Sequence, residues 1–240
     1  MGLGGKNLGD THRRPFEGSR PDDAVESRPP LRIVGEWHTP SGFYERWLKP
    51  VVDRFVGITL SILTLPLVIV IVLVIWAKMG RPAIFKQRRV GRFGKEFTVY
   101  KFRTMDADRR MEDEPYEHDD RRMNHKSTDD PRHTSVGRTL RKWSLDEIPQ
   151  FWNVARGEMS LVGPRPELPR IVTRYEPWQH RRHAVRPGVT GLWQISARGD
   201  VPMHEATHLD IAYVDNVTFR GDAKILFSTP MAAFGSRKGQ

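Results

Sequence analysis

The run "FVGITLSILTLPLVIVIVLVIWA", residues 55–77, contains no charged side chain. As a straight helix, Val56 to Ala77 would be about 33 Å long, enough to cross a hydrocarbon core of about 30 Å. Pro66 falls near its middle, where a proline costs about 3 kcal/mol or more because it removes one helical hydrogen bond and clashes with the preceding turn. The stretch therefore predicts a membrane segment that is broken near Pro66.

Two membrane arrangements fit this segment. Hydropathy alone favours a proline-kinked helix that spans the bilayer. The flanking charge favours a re-entrant helix-break-helix hairpin, because basic residues lie on both sides and give no inside–outside asymmetry. These residues are Arg46, Lys49 and Arg54 before the segment, and Lys78, Arg81, Lys86, Arg88 and Arg89 after it.

The rest of the chain is polar, and the mean hydropathy of −0.55 excludes a protein with many membrane helices. The 240 residues suffice for one domain and an anchor. With 39 Lys and Arg against 29 Asp and Glu, the net charge is +10. Such a charge suits an anionic partner, which could be nucleic acid, a lipid surface or a phosphorylated substrate. The absence of cysteine excludes disulfides and thiolate metal sites.

Composition divides the chain into four parts. Residues 1–40 are rich in Gly, Pro, Arg and Asp and are predicted to be a disordered extension. Residues 41–54 combine aromatic and basic side chains, as in Tyr44, Trp47 and Lys49, which predicts an interfacial juxtamembrane segment. The membrane segment, 55–77, comes next, and residues 78–240 form the single folded domain in which any chemistry would take place.

The local patterns in that domain predict an α+β fold. The β-prone runs "AIFKQ" (83–87) and "FTVYKF" (97–102) flank a glycine-containing basic turn, which is typical of a hairpin. A helical pattern follows in residues 135–159, with Leu145, Ile148, Trp152 and Val154 on its apolar face and Gly157 as its stop. The C-terminal part predicts one or two helices, broken near Gly221.

The sharpest local feature is "RKWSLDEIPQ", residues 141–150, in which Asp146 and Glu147 are adjacent. Nearby cations and a helix N-terminus favour ionised carboxylates, which can attack phosphorus, bind Mg²⁺ or accept a proton. The alternative is a capping box, since Ser144 and Glu147 have the S-x-x-E spacing. However, Pro149 disfavours helical geometry at the preceding residue, so the helix could begin later and leave both acids in a loop.

Four arginines are candidates for binding phosphate. Arg141, Arg165, Arg186 and Arg198 lie beside Pro or Gly, or just before the acidic pair. A guanidinium on stiff backbone suits bidentate phosphate binding. For any single arginine, a solvated basic face explains the pattern about as well.

Several long motifs occur together and in order: "IFKQRRVGRFGKEFTVYKFRTM" (84–105), "DPRHTSVGRTLRKWSLDEIPQFWNVARGEMSLVGPRPELP" (130–169), "RPGVTGLWQISAR" (186–198) and "LDIAYVDN" (209–216). With them the sequence resembles the bacterial sugar transferase family, the monotopic phosphoglycosyl transferases that act on polyprenol phosphate. The resemblance runs from about Lys49 to Phe227. Because the region ahead of the membrane segment is short and polar, we expect the minimal form of the family.

The resemblance implies a reaction and its residues. A phospho-sugar would pass from a UDP-sugar to undecaprenyl phosphate, with release of UMP, as the first membrane step of exopolysaccharide or other glycoconjugate synthesis. Asp146 would be the nucleophile that forms a phosphosugar–aspartate, and Glu147 would assist as a base or metal partner. Mg²⁺ is the implied cofactor, with Asp146 and Glu147 as its ligands.

Further residues and the cellular setting follow from the same resemblance. Arg141 would contact phosphate, and Pro164, Arg165 and Pro166 would belong to the nucleotide-sugar site. The resemblance implies a re-entrant helix, and so reverses the preference for a spanning one. We then expect a monotopic protein of the bacterial inner membrane, with its catalytic domain and both termini on the cytoplasmic face. Nucleic acid is not an expected partner, and homodimerisation is left open.

Two other functions are weighed against this one. A membrane-anchored basic scaffold would account for the net charge, but it would not need the acidic pair. A glycosyltransferase that moves the sugar without its phosphate would release UDP. The released nucleotide distinguishes this last alternative from phosphosugar transfer.

Overall fold

The computed structural model describes residues 42–106, 133–196 and 206–235, with side chains as far as residue 231. All of these residues belong to one compact unit, Leu31–Gln240. The predicted disordered extension, residues 1–40, lies outside the described residues.

The described residues form short helices and two small sheets. The α-helices are α1 (Lys49–Leu63), α2 (Leu65–Met79), α3 (Ser135–Lys142), α4 (Gln150–Ala155), α5 (Pro169–Val172), α6 (Leu192–Ser196), α7 (Thr207–Val214) and α8 (Phe219–Gly235). The strands are β1 (Ile84–Val90), β2 (Glu96–Phe102), β3 (Ser160–Val162) and β4 (Gly188–Thr190). Three 3₁₀ segments connect them, at Arg92–Gly94, Leu145–Glu147 and Pro177–Ala184. This mixture confirms the predicted α+β class.

The apolar stretch forms a bent pair of helices. Helix α1 ends at Leu63, α2 begins at Leu65 with Pro66 in its first turn, and the two are bent by 55°. The predicted break near Pro66 is therefore present. Within the described ranges, no helix taken singly has the length and apolar composition to cross a membrane, whereas the bent pair meets both criteria when its halves are taken together.

Side-chain hydroxyls supply hydrogen bonds next to the bend. Thr64 Oγ1 donates to the carbonyl of Leu60 at 2.6 Å, and Ser61 Oγ donates to that of Gly57 at 2.7 Å. The Leu60 carbonyl also accepts from the Thr64 amide at 2.9 Å, so the hydroxyl bonds add to the backbone bonds in the last turns of α1.

Helical structure starts well before the apolar stretch. A π-helical turn, Tyr44–Leu48, runs directly into α1, and Pro50 lies just after the junction between the two. The sequence boundary between residues 54 and 55 thus falls inside one continuous helix.

The two sheets have two strands each. Strands β1 and β2 pair antiparallel, from Ile84 opposite Phe102 to Val90 opposite Glu96, which confirms the predicted hairpin. Strands β3 and β4 pair in parallel, with Ser160 opposite Gly188 and Val162 opposite Thr190. The sequence pattern did not predict this second pair, because three residues per strand are too few for an alternation to be recognised.

Both halves of the bent pair pack against the domain. Ile71 and Ile75 of α2 are buried with Phe102 and Leu140 in one apolar cluster. Gly57 brings α1 so close to α4 that a Cβ atom there would lie 2.8 Å from the Ala155 nitrogen. The opposite sides of both helices are apolar and exposed, through Phe55, Ile58, Ile62, Leu63, Leu65, Ile69, Val70 and Leu73.

Two helical expectations differ in detail. The pattern over residues 135–159 is interrupted between α3 and α4, and Trp152 is 55% exposed, whereas Val154 is buried. The C-terminal break lies at residues 215–218, and Gly221 belongs to the first turn of α8.

Candidate active site

The acidic pair lies on a tight turn between α3 and α4. Ser144 adopts a left-handed conformation with φ 53°, and Leu145–Glu147 form a single 3₁₀ turn. Pro149 separates this turn from α4, which begins at Gln150. The capping box is wrong, because Ser144 makes no side-chain cap bond and the Glu147 side chain has other partners. Both carboxylates are therefore presented by a turn, as Pro149 predicts.

Glu147 is held by two cations. Its Oε1 accepts a hydrogen bond of 2.8 Å from Lys101 Nζ of β2 and another of 2.8 Å from Arg165 Nη2 of the loop that follows β3. Burial acts to raise the pKa of Glu147, but Arg165 and Lys101 outweigh it and hold this pKa well below its ordinary value. Glu147 is therefore an anion at neutral pH.

Asp146 has a different environment from its neighbour. Burial and the adjacent charge of Glu147 raise the pKa of Asp146, while Lys101 and Arg165 oppose that shift. Among the described residues, its carboxylate has no ion-pair partner within 4.0 Å. A partly buried carboxylate with a raised pKa is more basic, and so more nucleophilic when ionised, than one fixed by salt bridges.

The predicted phosphate-binding residues separate into two places. Arg165 bonds Glu147 of the acidic pair, and Pro164 and Pro166 flank it on the same loop. Arg141 is half-buried in the last turn of α3, five residues before Asp146. Arg198 lies outside the described residues, which stop at residue 196 and resume at residue 206.

Arg186 lies in a second basic cluster. Its Nε donates to the Gly157 carbonyl at 2.9 Å, beyond the C-terminal end of α4. Burial, and then the positive charge of Arg54, lowers the pKa of Arg186. With Arg92 and Lys49 it lines a cleft beside the start of α1. The structure thus groups Arg186 with these residues and pairs Glu147 with Arg165 and Lys101.

Lys101 was missed by reasoning from the sequence. It lies two residues after the buried Val99, on the same face of β2, where an apolar residue would continue the pattern. A lysine at such a position is a recognisable signal, because charged side chains are rarely buried unless they are paired. Its partner, Glu147, is 46 residues away in the sequence.

The site offers few ligands for a metal ion. No group of three or more His, Asp and Glu residues that could hold a metal occurs in the described parts of the chain. Mg²⁺, however, is commonly bound by one or two carboxylates together with substrate phosphates. Asp146 and Glu147 match that donor set, although Oε1 of Glu147 is already engaged by two cations. These residues fit an ion shared with a bound diphosphate.

Comparison with known proteins gives consistent results. The profile described as "Bacterial sugar transferase" matches residues 44–236. The chain is 44% identical over 155 residues to the galactosyl transferase CpsE of Streptococcus agalactiae, covering 63% of this chain and 34% of that protein. It is 42% identical over 182 residues to the uncharacterized sugar transferase EpsL of Bacillus subtilis, covering 76% of this chain and 85% of that protein.

A third relative carries a more specific name. The undecaprenyl-phosphate galactose phosphotransferase of Salmonella typhimurium is 40% identical over 193 residues, which cover 77% of this chain and 40% of that protein. The chain thus spans well under half of CpsE and of this relative, but most of EpsL. Because the profile covers most of the chain and EpsL is matched over most of its length, the chain belongs to the bacterial sugar transferase family, whose members are enzymes.

Proposed function

We propose that this chain transfers a phospho-sugar from a UDP-sugar to undecaprenyl phosphate, giving undecaprenyl-diphosphate-sugar and UMP. The observation that carries the proposal is the pairing of Asp146, which has no ion-pair partner among the described residues, with Glu147, which is held by Lys101 and Arg165. A site for phosphosugar transfer needs a carboxylate free to attack and fixed cations to stabilise the phosphates. The relative from Salmonella typhimurium, named for this type of reaction, supports the assignment.

The reaction proceeds in two displacements. A carboxylate oxygen of Asp146 attacks the β-phosphorus of the UDP-sugar, and the bond from that phosphorus to the bridging oxygen breaks, so that UMP leaves with the oxygen. A phosphate oxygen of the lipid then attacks the same phosphorus, and the bond to Asp146 breaks, which restores the carboxylate. Lys101 and Arg165 stabilise the negative charge of the phosphates in both steps. Arg141 and the loop of Pro164 to Pro166 hold the nucleotide-sugar.

Mg²⁺ is the proposed cofactor, and Asp146 and Glu147 would hold it together with the substrate phosphates. When bound, it would neutralise phosphate charge and orient the diphosphate. Lys101 and Arg165 already offset the charge of Glu147, through bonds of 2.8 Å each.

The bent pair α1–α2 is proposed to be a re-entrant membrane anchor. Its outer faces are apolar and exposed, while its inner faces pack on the domain. A hairpin that enters and leaves on one side keeps the acidic pair near the surface where the lipid phosphate lies. The protein would then be monotopic in the bacterial inner membrane, with both termini and the domain on the cytoplasmic side. Exopolysaccharide synthesis is the proposed setting.

The released nucleotide tests the reaction. Membrane fractions incubated with undecaprenyl phosphate and a panel of UDP-sugars should release UMP with the sugar that is the natural donor. Release of UDP would instead favour transfer of the sugar without its phosphate. Retained function in an Asp146→Ala variant would favour a basic scaffold without catalysis.

The covalent step has a direct test. Asp146→Asn should abolish both transfer and the intermediate, because an amide is a poor nucleophile. Mass spectrometry of the protein incubated with the UDP-sugar alone should show a phosphosugar adduct on Asp146 in the parent and not in the variant. Asp106→Asn, outside the candidate site, serves as the matched control and should keep full turnover. An adduct on another residue would contradict the assignment.

A further inference from the structure

A buried arginine donates a hydrogen bond to the backbone of the loop that carries Arg165. Arg182, in the 3₁₀ helix Pro177–Ala184, donates from Nη2 to the Arg165 carbonyl at 2.7 Å. The same nitrogen lies 2.6 Å from Oδ2 of Asp210 in α7, and Nη1 donates to the hydroxyl of Tyr175. The side chains of Arg182 and Asp210 are only 1% and 2% exposed.

A second arginine fixes the other side of the loop. Arg89 of β1 donates from Nη1 to the Pro166 carbonyl at 3.1 Å and lies 3.7 Å from Oε1 of the buried Glu167. The Val90 amide donates to the Glu167 carbonyl at 2.9 Å. The backbone from Arg165 to Glu167 is therefore fixed by bonds to three carbonyls in succession, and the Arg165 side chain leaves this fixed backbone to reach Glu147.

A buried ion pair contributes little net free energy to the stability of a fold. Replacing such a pair with apolar side chains of similar volume is often neutral or stabilising, because the desolvation of two charges offsets their attraction. Arg182 and Asp210 therefore call for a role beyond stability. The contact that no apolar pair could reproduce is the bond from Arg182 to the carbonyl of Arg165.

We propose that Arg182 is a positioning residue for phosphosugar transfer, and that it acts through the main chain of Arg165, whose guanidinium it keeps against Glu147. Asp210 serves this arrangement by neutralising Arg182, since its Oδ2 lies 2.6 Å from Nη2. The inference rests on the proposed function, since it assigns to Arg182 an effect on that same site. Misplacement of a catalytic group by about 1 Å can cost up to about 10²-fold in rate.

Two variants separate positioning from folding. Arg182→Lys keeps a positive charge beside Asp210 but loses the planar fork that donates to the Arg165 carbonyl and the Tyr175 hydroxyl together. Arg182→Met combined with Asp210→Leu removes both buried charges, which is tolerated better than removing one. Arg181→Gln with Asp215→Asn is the matched control, because it removes an exposed 2.7 Å pair from the adjacent position.

The kinetic readout is the coupling between Arg182 and Arg165. In the parent background, Arg182→Lys and the double variant Arg182→Met with Asp210→Leu should each lower kcat by roughly 10- to 100-fold. In an Arg165→Ala background, the same changes should have little further effect, because the group through which they act is gone. The control pair should leave kcat unchanged in both backgrounds. Equal fold-losses in the two backgrounds, or parental kcat in both Arg182 variants, would overturn the proposal.

A second readout does not depend on catalysis. Hydrogen–deuterium exchange of peptides covering residues 163–168 should become faster in both Arg182 variants and stay parental in the control pair. Unchanged exchange there would also overturn the positioning role. If the parent itself released no UMP while this exchange difference was present, the proposed function would fail and the positioning of the loop would stand.

Discussion

At the scale of single residues, Asp146 and Glu147 are adjacent in sequence, but their pKa values are shifted in opposite directions. One carboxylate oxygen of Glu147 accepts hydrogen bonds from both Lys101 and Arg165, so Glu147 is an anion held between two cations. Burial and the charge of Glu147 raise the pKa of Asp146. Pairs of carboxylates that are pushed apart in this way commonly divide the roles of nucleophile and electrostatic support.

Lys101 provides the sharpest test of this division. Lys101→Met removes one cation from the site, and we expect kcat to fall by roughly 10² to 10³, or about 2–4 kcal/mol, which is typical for losing one preorganised group that stabilises transition-state charge. Arg165→Ala should cause a loss of similar size. Both are measured by UMP release from purified, folded protein.

The control for Lys101 lies on the partner strand. Lys86 of β1 is exposed, so Lys86→Met changes the same residue type in the same hairpin. It should keep a rate within about twofold of the parent, as expected for an exposed surface substitution. Equal losses in both lysine variants would show that net charge matters and the bond to Glu147 does not.

His183 predicts a pH dependence of stability. Burial, and then the charges of Arg182 and His180, lowers the pKa of His183 well below its ordinary value. The folded state therefore keeps this histidine neutral where the unfolded chain binds a proton. The stabilisation is complete above about pH 6.5, the ordinary value, and is lost as the pH falls below it towards the folded pKa.

Thermal unfolding between pH 7.5 and 5.5 checks this direction. The parent Tm should fall over this interval, and His183→Gln should show a smaller fall, because it has no proton to bind. His208→Gln, at an exposed position, should behave like the parent. A parental slope in His183→Gln would rule out His183 as the source.

At the scale of elements, α1 and α8 are joined by a buried polar network. Lys49 Nζ of α1 donates to Asp222 Oδ2 of α8 at 2.7 Å. The same carboxylate accepts from Tyr44 at 2.6 Å and from Tyr213 at 2.8 Å. Asp53, one turn after Lys49, accepts from Ser160 of β3 at 2.6 Å. These bonds fix the start of the bent pair to the domain.

Removing one partner should show how much this polar network contributes to the free energy of unfolding. Asp222→Ala leaves Lys49 buried without its closest anion, which typically costs about 3–5 kcal/mol and should lower Tm by roughly 10 °C for a chain of this size. Asp215→Ala, which breaks the exposed pair with Arg181, should cost no more than about 1 kcal/mol. Differential scanning fluorimetry in detergent would measure both, and equal shifts would argue against a buried join.

At the scale of the whole molecule, the bent pair has one side packed on the domain and an apolar side that is exposed. The sides of Ile71 and Ile75 are buried by the domain, while Ile62, Leu63 and Leu65 around the bend stay exposed. Exposed apolar side chains concentrated at a helix bend suit insertion of the bend into a bilayer, with both helix ends returning to the surface.

Cysteine labelling in intact cells tests this topology, because the chain has no cysteine of its own. A single cysteine near residue 40 and, separately, one near residue 236 should both stay protected from an impermeant reagent if both termini are cytoplasmic. Pro66→Leu should shift part of the population towards a spanning form and so label the first position. Labelling near residue 40 in the parent, with residue 236 protected, would establish a spanning helix.

The sequence predicted the local features of the fold and part of the candidate site. The break near Pro66, the hairpin β1–β2 and the position of the acids ahead of α4 all depend on residues close in sequence: a proline, a basic glycine turn and Pro149. Ser144 was misleading, since its left-handed backbone removes the capping geometry that the S-x-x-E spacing indicates. Lys101 was missed because its partner is distant in sequence.

The family, the break in the apolar segment and the acidic pair were all recognisable from the amino-acid sequence, since each is carried by a contiguous motif or by the chemistry of a single residue. Which cations bond Glu147 became clear from the packed structure: Lys101 and Arg165 do, while Arg186 lies beside Gly157. The same structure shows that Lys49 is buried against Asp222. The physical reason is that ion pairs depend on distances of a few ångströms between side chains, and packing brings together residues that the chain separates by dozens of positions.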